Sequence, residues 1–288
     1  DAELVLKNWR LPGRAFTGGT IGIAESYIDG DWDSPDVTSF LELFVVNSEI
    51  GERIAGGASW LINAVQRVRH WFNQNTRTGS KRNISAHYDL GNAFYKEWLD
   101  PSMTYSSALY AAGANDLESA QAAKYRALAK DTGIGANDHV LEIGCGWGGF
   151  AEFAAREIGC RVTGLTISRE QHDFARARVQ KAGFADKIDI KLQDYRDETG
   201  SYDRIASIEM FEAVGEMKNC LRPGGTAGLQ IITINEKAYD TYRARPDFIQ
   251  RYVFPGGMLP TPSILKTLGK DHGLDHQRER IFPDDYAR

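Results

Sequence analysis

An α/β fold built on a doubly wound parallel sheet is the class this sequence predicts, and three observations predict it. Beyond Asp138, apolar strands alternate with amphipathic helices, the order that gives parallel strands joined by helical crossovers. Gly144, Gly146, Gly148 and Gly149 crowd the junction between the first of those strands and its helix. The 288 residues, 42% hydrophobic and 25% charged, suffice for a full core. No apolar run approaches the ~20 residues that span a bilayer.

Taken in order, residues 1–75 read as a small separate domain. Ser34-Pro35-Asp36 is a turn signal, and Val37 to Phe44 has helical spacing. Ile54 to Tyr88 holds no Asp or Glu but contains Arg67, Arg69, Arg77, Lys81 and Arg82, while Leu61, Val65, Val68 and Phe72 recur at helical intervals. Two readings stand: a core helix with a solvated basic linker, or a surface that rests on anionic phospholipid.

Residues 76–288 form the larger domain. Its predicted elements are strand "HVLEIG", a helix from Phe150 to Ile158, strand "RVTGLTI", a helix from Arg169 to Ala182, then strands "IDIKLQD" and "YDRIASIEMF". "LRPGG", Leu221 to Gly225, reads as the turn before the next strand. The connection ahead of it looks too short for a crossover, so residues are expected to be missing near 216–217. A final strand is likewise expected beyond Arg288.

Cys145, Cys160 and Cys220 are odd in number and widely spaced, against a disulfide framework or a zinc cluster and in favour of a reducing cytosol. No secretory segment opens the chain, which starts at Asp1 without a methionine, so its true terminus is expected upstream. A net charge of -5 gives no overall case for nucleic acid. His272 and His276 stand four apart with Gly273 between and no third ligand, so no metal is expected.

The glycine loop carries the chemistry. Glycines at the carboxyl end of a strand let a ligand approach the main chain. A nicotinamide dinucleotide wants G-x-G-x-x-G and an acid about 20 residues on. Here Gly144, Gly146 and Gly148 alternate behind Glu142, and the second strand ends in Thr166 and Ser168 with no acid. This E-x-G-x-G-x-G form resembles the first motif of class I methyltransferases that use S-adenosylmethionine. "LQDYRD" resembles their adenine-contacting motif, which puts Asp194 at the exocyclic amine and Tyr195 in stacking.

The substrate has to come from elsewhere. "HYDLGNAFY", "LDPSMTYSSALY", "LEIGCGWGGFAEFAA", "GLTISREQ", "LQDYRD", "MFEAVG" and "FIQRYVFPGGMLP" together resemble the cyclopropane-fatty-acyl-phospholipid synthase family with its mycolic-acid branch. The likeness runs from about Gly18 to the end of the chain. It implies a Rossmann-like class I methyltransferase sheet with a small amino-terminal domain, and methylation of a cis double bond in a phospholipid acyl chain. A carbocation forms, and proton loss from the new methyl closes a cyclopropane ring, with bound bicarbonate as the base.

Residue by residue, the resemblance makes Glu212, Tyr286 and the Ile232 amide holders of that anion. Ser107 stands where the family usually has cysteine, and Gln230 where it usually has histidine. Both keep a donor, but Gln230 cannot become cationic. Around the cofactor the likeness places Tyr105 and Ser106 beside the methionine portion and Gly144 and Gly146 in the main-chain cradle, with Glu142 and Gly148 also among the cofactor-binding residues. Thr166, Ser168 and Gln171 fall by the ribose. Trp147 reads as packing. The two departures keep an alternative open, a fatty-acyl methyltransferase giving a methyl- or methylene-branched chain. A methyltransferase of another small molecule is a more distant one. With a lipid substrate the basic stretch becomes a membrane contact, which implies a cytoplasmic protein held peripherally at the inner membrane face, and relatives suggest a homodimer.

Overall fold

The computed structural model describes residues 2–47, 91–110, 113–210, 214–244, 247–254 and 257–286, with backbone alone at Val214, Glu216 and Tyr286. The chain divides into two compact units, Asp1–Asn83 with Lys237–Met258, and Ile84–Glu236 with Leu259–Arg288. Arg67, Arg69, Arg77, Lys81 and Arg82 lie outside the described residues, as does Glu212.

In the first unit β1 (Val5–Leu6) pairs antiparallel with β2 (Trp32–Asp33), and the helix Arg10–Ile28 runs between them. Its return is fastened by buried Asp31, which accepts from Arg10 at 3.0 and 2.6 Å and from Ser26 at 3.0 Å. The predicted turn ends in Asp36, whose carboxylate accepts from the Ser39 amide at 3.0 Å and caps the helix Val37–Val46. Trp32 packs between Tyr27 and Phe40, with ring centroids 4.8 and 4.6 Å apart. Residues from the later part of the chain complete the unit: Arg251 and Tyr252 both bind the Glu25 carboxylate.

The second unit is a five-stranded parallel sheet of order β5-β4-β3-β6-β7, formed by β3 (His139–Ile143), β4 (Arg161–Thr166), β5 (Ile188–Leu192), β6 (Tyr202–Ile208) and β7 (Leu221–Gln230). The chain steps outward from β3 to β5, then returns to lay β6 on the other flank of β3. The direction of winding therefore reverses between β3 and β6, and beyond the carboxyl ends at such a reversal is where sheets of this kind bind ligands. Alternation along the strands explains the two-faced core. Val140, Val162, Ile188 and Ile190 meet Phe150, Ala154, Ala175 and Val179 on one side, while Leu141, Ile143, Leu165 and Ile205 meet Met217 on the other.

Side chains set the helix boundaries. Asp116 and Ser119 form a reciprocal capping box on the helix Leu117–Thr132, and Ser168 caps the helix Arg169–Ala182. Left-handed Gly133 and Gly183 stop them.

Three expectations need correction. The helix predicted from Phe150 to Ile158 is α-helical only over Gly149–Phe153 and becomes a π-helix over Ala154–Ile158. The strand predicted to continue through Phe211 ends at Ile208, because Glu209 turns to φ 57. Between β6 and β7 the described connection holds the seven-residue helix Val214–Cys220, whose Met217 and Cys220 are buried. Leu221 to Gly225 lies within β7 as an irregularity: Tyr202 pairs with Leu221 but Arg204 with Thr226, so the intervening residues of β7 bulge outward.

No helix among the described residues is long and apolar enough to cross a membrane. All three cysteines are buried and free. Among the described residues no group of three or more metal-ligating side chains assembles.

Candidate active site

The loop after β3 is shaped by three glycines with two different tasks. The Gly144 and Cys145 amides both donate to the Leu165 carbonyl, at 3.0 and 2.9 Å, which turns the chain sharply off the strand. Gly144 (φ 78) lies against Met210, and a Cβ on Gly148 (φ 82) would stand 3.1 Å from the Ala175 Cβ. Both are close packing contacts. Gly146 (φ 52) differs, since a Cβ there would meet no atom within 4 Å. Its bare face opens to space, the cradle a ligand would use.

Glu142, expected among the cofactor-binding residues, lies beneath the loop. The residue is 3% exposed, one carboxyl oxygen takes a backbone hydrogen bond from Ala151, and Oε2 has no partner. Its place on β3 points it under the following helix, and burial pushes its carboxyl up to about 8.

At the end of β4 the expected ribose residues form a closed polar corner. The Thr166 hydroxyl donates to Gln171 Oε1 at 2.8 Å and accepts from the Ser168 amide at 3.1 Å. All three residues are buried. After β5, the Asp194 carboxylate is gripped by Arg196, Nε to Oδ1 at 2.8 Å and Nη2 to Oδ2 at 2.6 Å, and that guanidinium lies 5.4 Å from the Tyr195 ring centroid. An adenine amine reaching Asp194 would share it with Arg196.

The "TYSSA" segment is held by the helix Leu117–Thr132. Gln121 Nε2 donates to the Thr104 and Ser106 carbonyls at 3.3 and 2.9 Å, and Lys124 Nζ donates to the Ser106 hydroxyl at 2.6 Å. Tyr105 joins an aromatic group with Tyr95, centroids 5.4 Å apart, and Tyr95 lies 5.0 Å from Trp147. Trp147 is buried and its indole donates to Asn92 Oδ1 at 2.6 Å, as a packing residue with a satisfied polar end.

Ser107 and Gln230, from distant parts of the chain, come together around a residue that sequence reasoning missed. Glu209 Oε1 accepts from the Ser107 amide at 2.9 Å and from Gln230 Nε2 at 3.0 Å, and Gln230 Nε2 also donates to the Ser107 carbonyl at 3.0 Å. Burial pushes the Glu209 carboxyl above its ordinary range, while the Ser107 amide, the Lys124 charge and Gln230 oppose that rise. Burial also lowers buried Lys124 to about 7, against the pull of Glu209 and Asp100. Ile232 lies two residues past β7, and Tyr286 ends the short helix Pro283–Tyr286. The signal available in the sequence was "IEMFE", two acids three residues apart at a strand end.

Strand order, a bared loop after β3 and polar corners after β4 and β5 define a class I S-adenosylmethionine-dependent methyltransferase. Within that class the match is to a family described as mycolic acid cyclopropane synthetase, over residues 75–288, and the chain belongs to this family. It is 36% identical to the tuberculostearic acid methyltransferase of Mycobacterium tuberculosis, over 89% of this chain and 63% of that protein. It is 34% identical to the cyclopropane-fatty-acyl-phospholipid synthase of Escherichia coli K12, over 94% of this chain and 70% of that protein. A solved mycolic acid cyclopropane synthase, complexed with SAH and CTAB, superposes with a TM-score of 0.61 at 27% identity, over 67% of this chain and 74% of that one. The chain thus spans less than two thirds of the length of the first of these relatives.

Proposed function

We propose that this protein methylates a cis double bond in a phospholipid acyl chain with S-adenosylmethionine, and that a cyclopropane ring is the product. One observation carries the reading: the open face of Gly146 and the partly buried polar group of Ser107, Glu209 and Gln230 both lie at the carboxyl edge of one sheet. Membership of the family supports it, as does the similarity to the Escherichia coli synthase.

Gly144 and Gly146, with Tyr105 and Ser106, would hold the methionine end of the donor. Thr166, Ser168 and Gln171 would lie by the ribose, and Asp194 and Tyr195 by the adenine. Bound there, the donor supplies an electrophilic methyl group. Alkene methylation leaves a positive charge on the acyl chain, and proton loss removes it, so the site needs a proton acceptor. The resemblance implies bicarbonate in that role, and two donors described at its expected position are already committed to another group. The Ser107 amide and Gln230 Nε2 are both spent on the Glu209 carboxylate.

A methyl- or methylene-branched product is the second reading. Ser107 and Gln230 favour it, because both alter the deprotonation site, and so does the 36% identity to a relative named for tuberculostearic acid. The basic stretch from Arg67 to Arg82 would bring the protein to the anionic inner membrane face from the cytoplasm, where each charge contributes about 1 kcal/mol. Pairing of two copies through the amino-terminal unit belongs to the same reading.

The test is to incubate the protein with methyl-labelled S-adenosylmethionine and either unsaturated phospholipid vesicles or a protein extract. Label in the lipid is expected, with ring methylene protons far upfield in the NMR spectrum. Vinyl signals in their place would select the branched product, and label in the protein fraction would end the lipid reading.

A further inference from the structure

Glu209 has features that a structural carboxylate at a strand end does not need. Among the described residues only Met103 and Glu209 combine a side chain with a left-handed backbone, each at φ 57. Such outliers persist where the surroundings hold them, and they gather at functional sites. The Glu209 amide donates to the Gln230 carbonyl at 2.7 Å, so the turn stays tied to the sheet while the side chain leaves it. Met210 lies against Gly144, which puts Glu209 beside the loop whose glycine Gly146 is open to a ligand.

The carboxylate is also oriented. Both hydrogen bonds, from the Ser107 amide and from Gln230 Nε2, fall on Oε1, and none among the described residues falls on Oε2. Buried Lys124 supplies an opposing charge to the same carboxylate. A half-buried carboxyl pushed upward in this way takes a proton more readily than an exposed one. These are the properties of a base fixed by one oxygen and free at the other.

We propose that Glu209 is the proton acceptor of this site, occupying with its own carboxylate the position where the family's resemblance puts a bicarbonate ion. The inference rests on the lipid-methylation reading. After the methyl transfer a C–H bond of the new methyl breaks. Its electron pair closes the C–C bond of the ring, the proton goes to Glu209 Oε2, and the acid then gives it to water. For a methylene product a 1,2-hydride shift first moves the cation to the methyl-bearing carbon; a methyl C–H bond then breaks, its pair forms the C=C bond, and the proton goes to the same oxygen.

The experiment uses the whole protein with labelled S-adenosylmethionine and unsaturated phospholipid vesicles. In carbon-dioxide-free buffer the wild type is expected to turn over at an unchanged rate, and adding bicarbonate is expected to change nothing. Glu209→Gln, which keeps size and the acceptor oxygen, is expected to bind S-adenosylmethionine like the wild type while product formation falls about 100-fold or more. Glu209→Gly suits the left-handed backbone, and its activity is expected to return with added formate. Loss of wild-type turnover without bicarbonate overturns the proposal, whatever the variants do, as does near-wild-type activity of Glu209→Gln. If the wild type labels no lipid at all, the lipid reading itself falls and takes this inference with it. That result is distinct from active enzyme that depends on bicarbonate.

Discussion

Met210 lies so close to Gly144 that a Cβ on the glycine would stand 2.3 Å from its sulfur, whereas a Cβ on Gly146 would meet nothing within 4 Å. The two glycines of one loop therefore separate packing from ligand space. Gly144→Ala and Gly146→Ala each incur the left-handed backbone cost of about 1–2 kcal/mol. Gly144→Ala must in addition move Met210 and, with it, Glu209. Urea denaturation is expected to show the larger loss for Gly144→Ala, partly recovered by Met210→Ala. Titration calorimetry is expected to show that Gly146→Ala loses S-adenosylmethionine affinity. Equal losses from the two in both measurements would contradict this division.

Lys124 links the site to pH. Its charge is one of the effects holding the Glu209 carboxyl down. Lys124→Met is therefore expected to move the acidic limb of the lipid-methylation profile to higher pH. A separate effect concerns stability. With Lys124 at about 7 folded and near its ordinary 10.5 unfolded, the unfolded chain binds the extra proton between those values, so stability rises with pH across that window. Lys124→Met is expected to lack that rise. An acidic limb that stays in place would disconnect the two residues.

Glu142 acts with the opposite sign. Its folded carboxyl titrates at about 8 against an ordinary 4.5, so between those values the folded protein holds a proton the unfolded chain has lost. Its contribution is present below about 4.5 and is lost as pH rises towards 8, at a slope of the order of 1 kcal/mol per pH unit. Denaturation midpoints across that range are expected to fall less steeply for Glu142→Gln than for the wild type.

Trp147 tests packing against catalysis. Trp147→Ala is expected to cost about 3–5 kcal/mol for the emptied aromatic volume. Trp147→Phe, which loses mainly the indole bond to Asn92, is expected to cost about 1 kcal/mol. In Trp147→Phe, methyl transfer measured below the unfolding range is expected to continue. Its abolition there would make the indole part of the chemistry.

The membrane reading predicts that replacing Arg67, Arg69, Arg77, Lys81 and Arg82 with glutamine weakens sedimentation with anionic vesicles and spares binding to neutral ones. Unchanged sedimentation with anionic lipid would leave the stretch a solvated linker.

Local chemistry made much of this molecule legible in advance. Asp36 and Ser168 cap helices where a capping residue precedes an apolar period, and Gly183 ends one where a helix needs a left-handed stop. The glycine loop was legible for the same reason, since its backbone demands can be met by few residue types. Glu142 was misplaced because adjacency in a motif does not tell which face of a strand a side chain takes. The end of β6 was placed three residues late, because "IEMF" continues the apolar pattern and nothing in it announces the positive φ at Glu209.

By itself, then, the sequence determined the alternation of elements, the glycine-bared strand end and the family, because each rests on residues close together in the chain. Only the tertiary structure decided which carboxylate the site holds between Ser107 and Gln230. Glu209 is 102 residues from the first and 21 from the second, and the parallel sheet, not any local pattern, brings the three within hydrogen-bond reach.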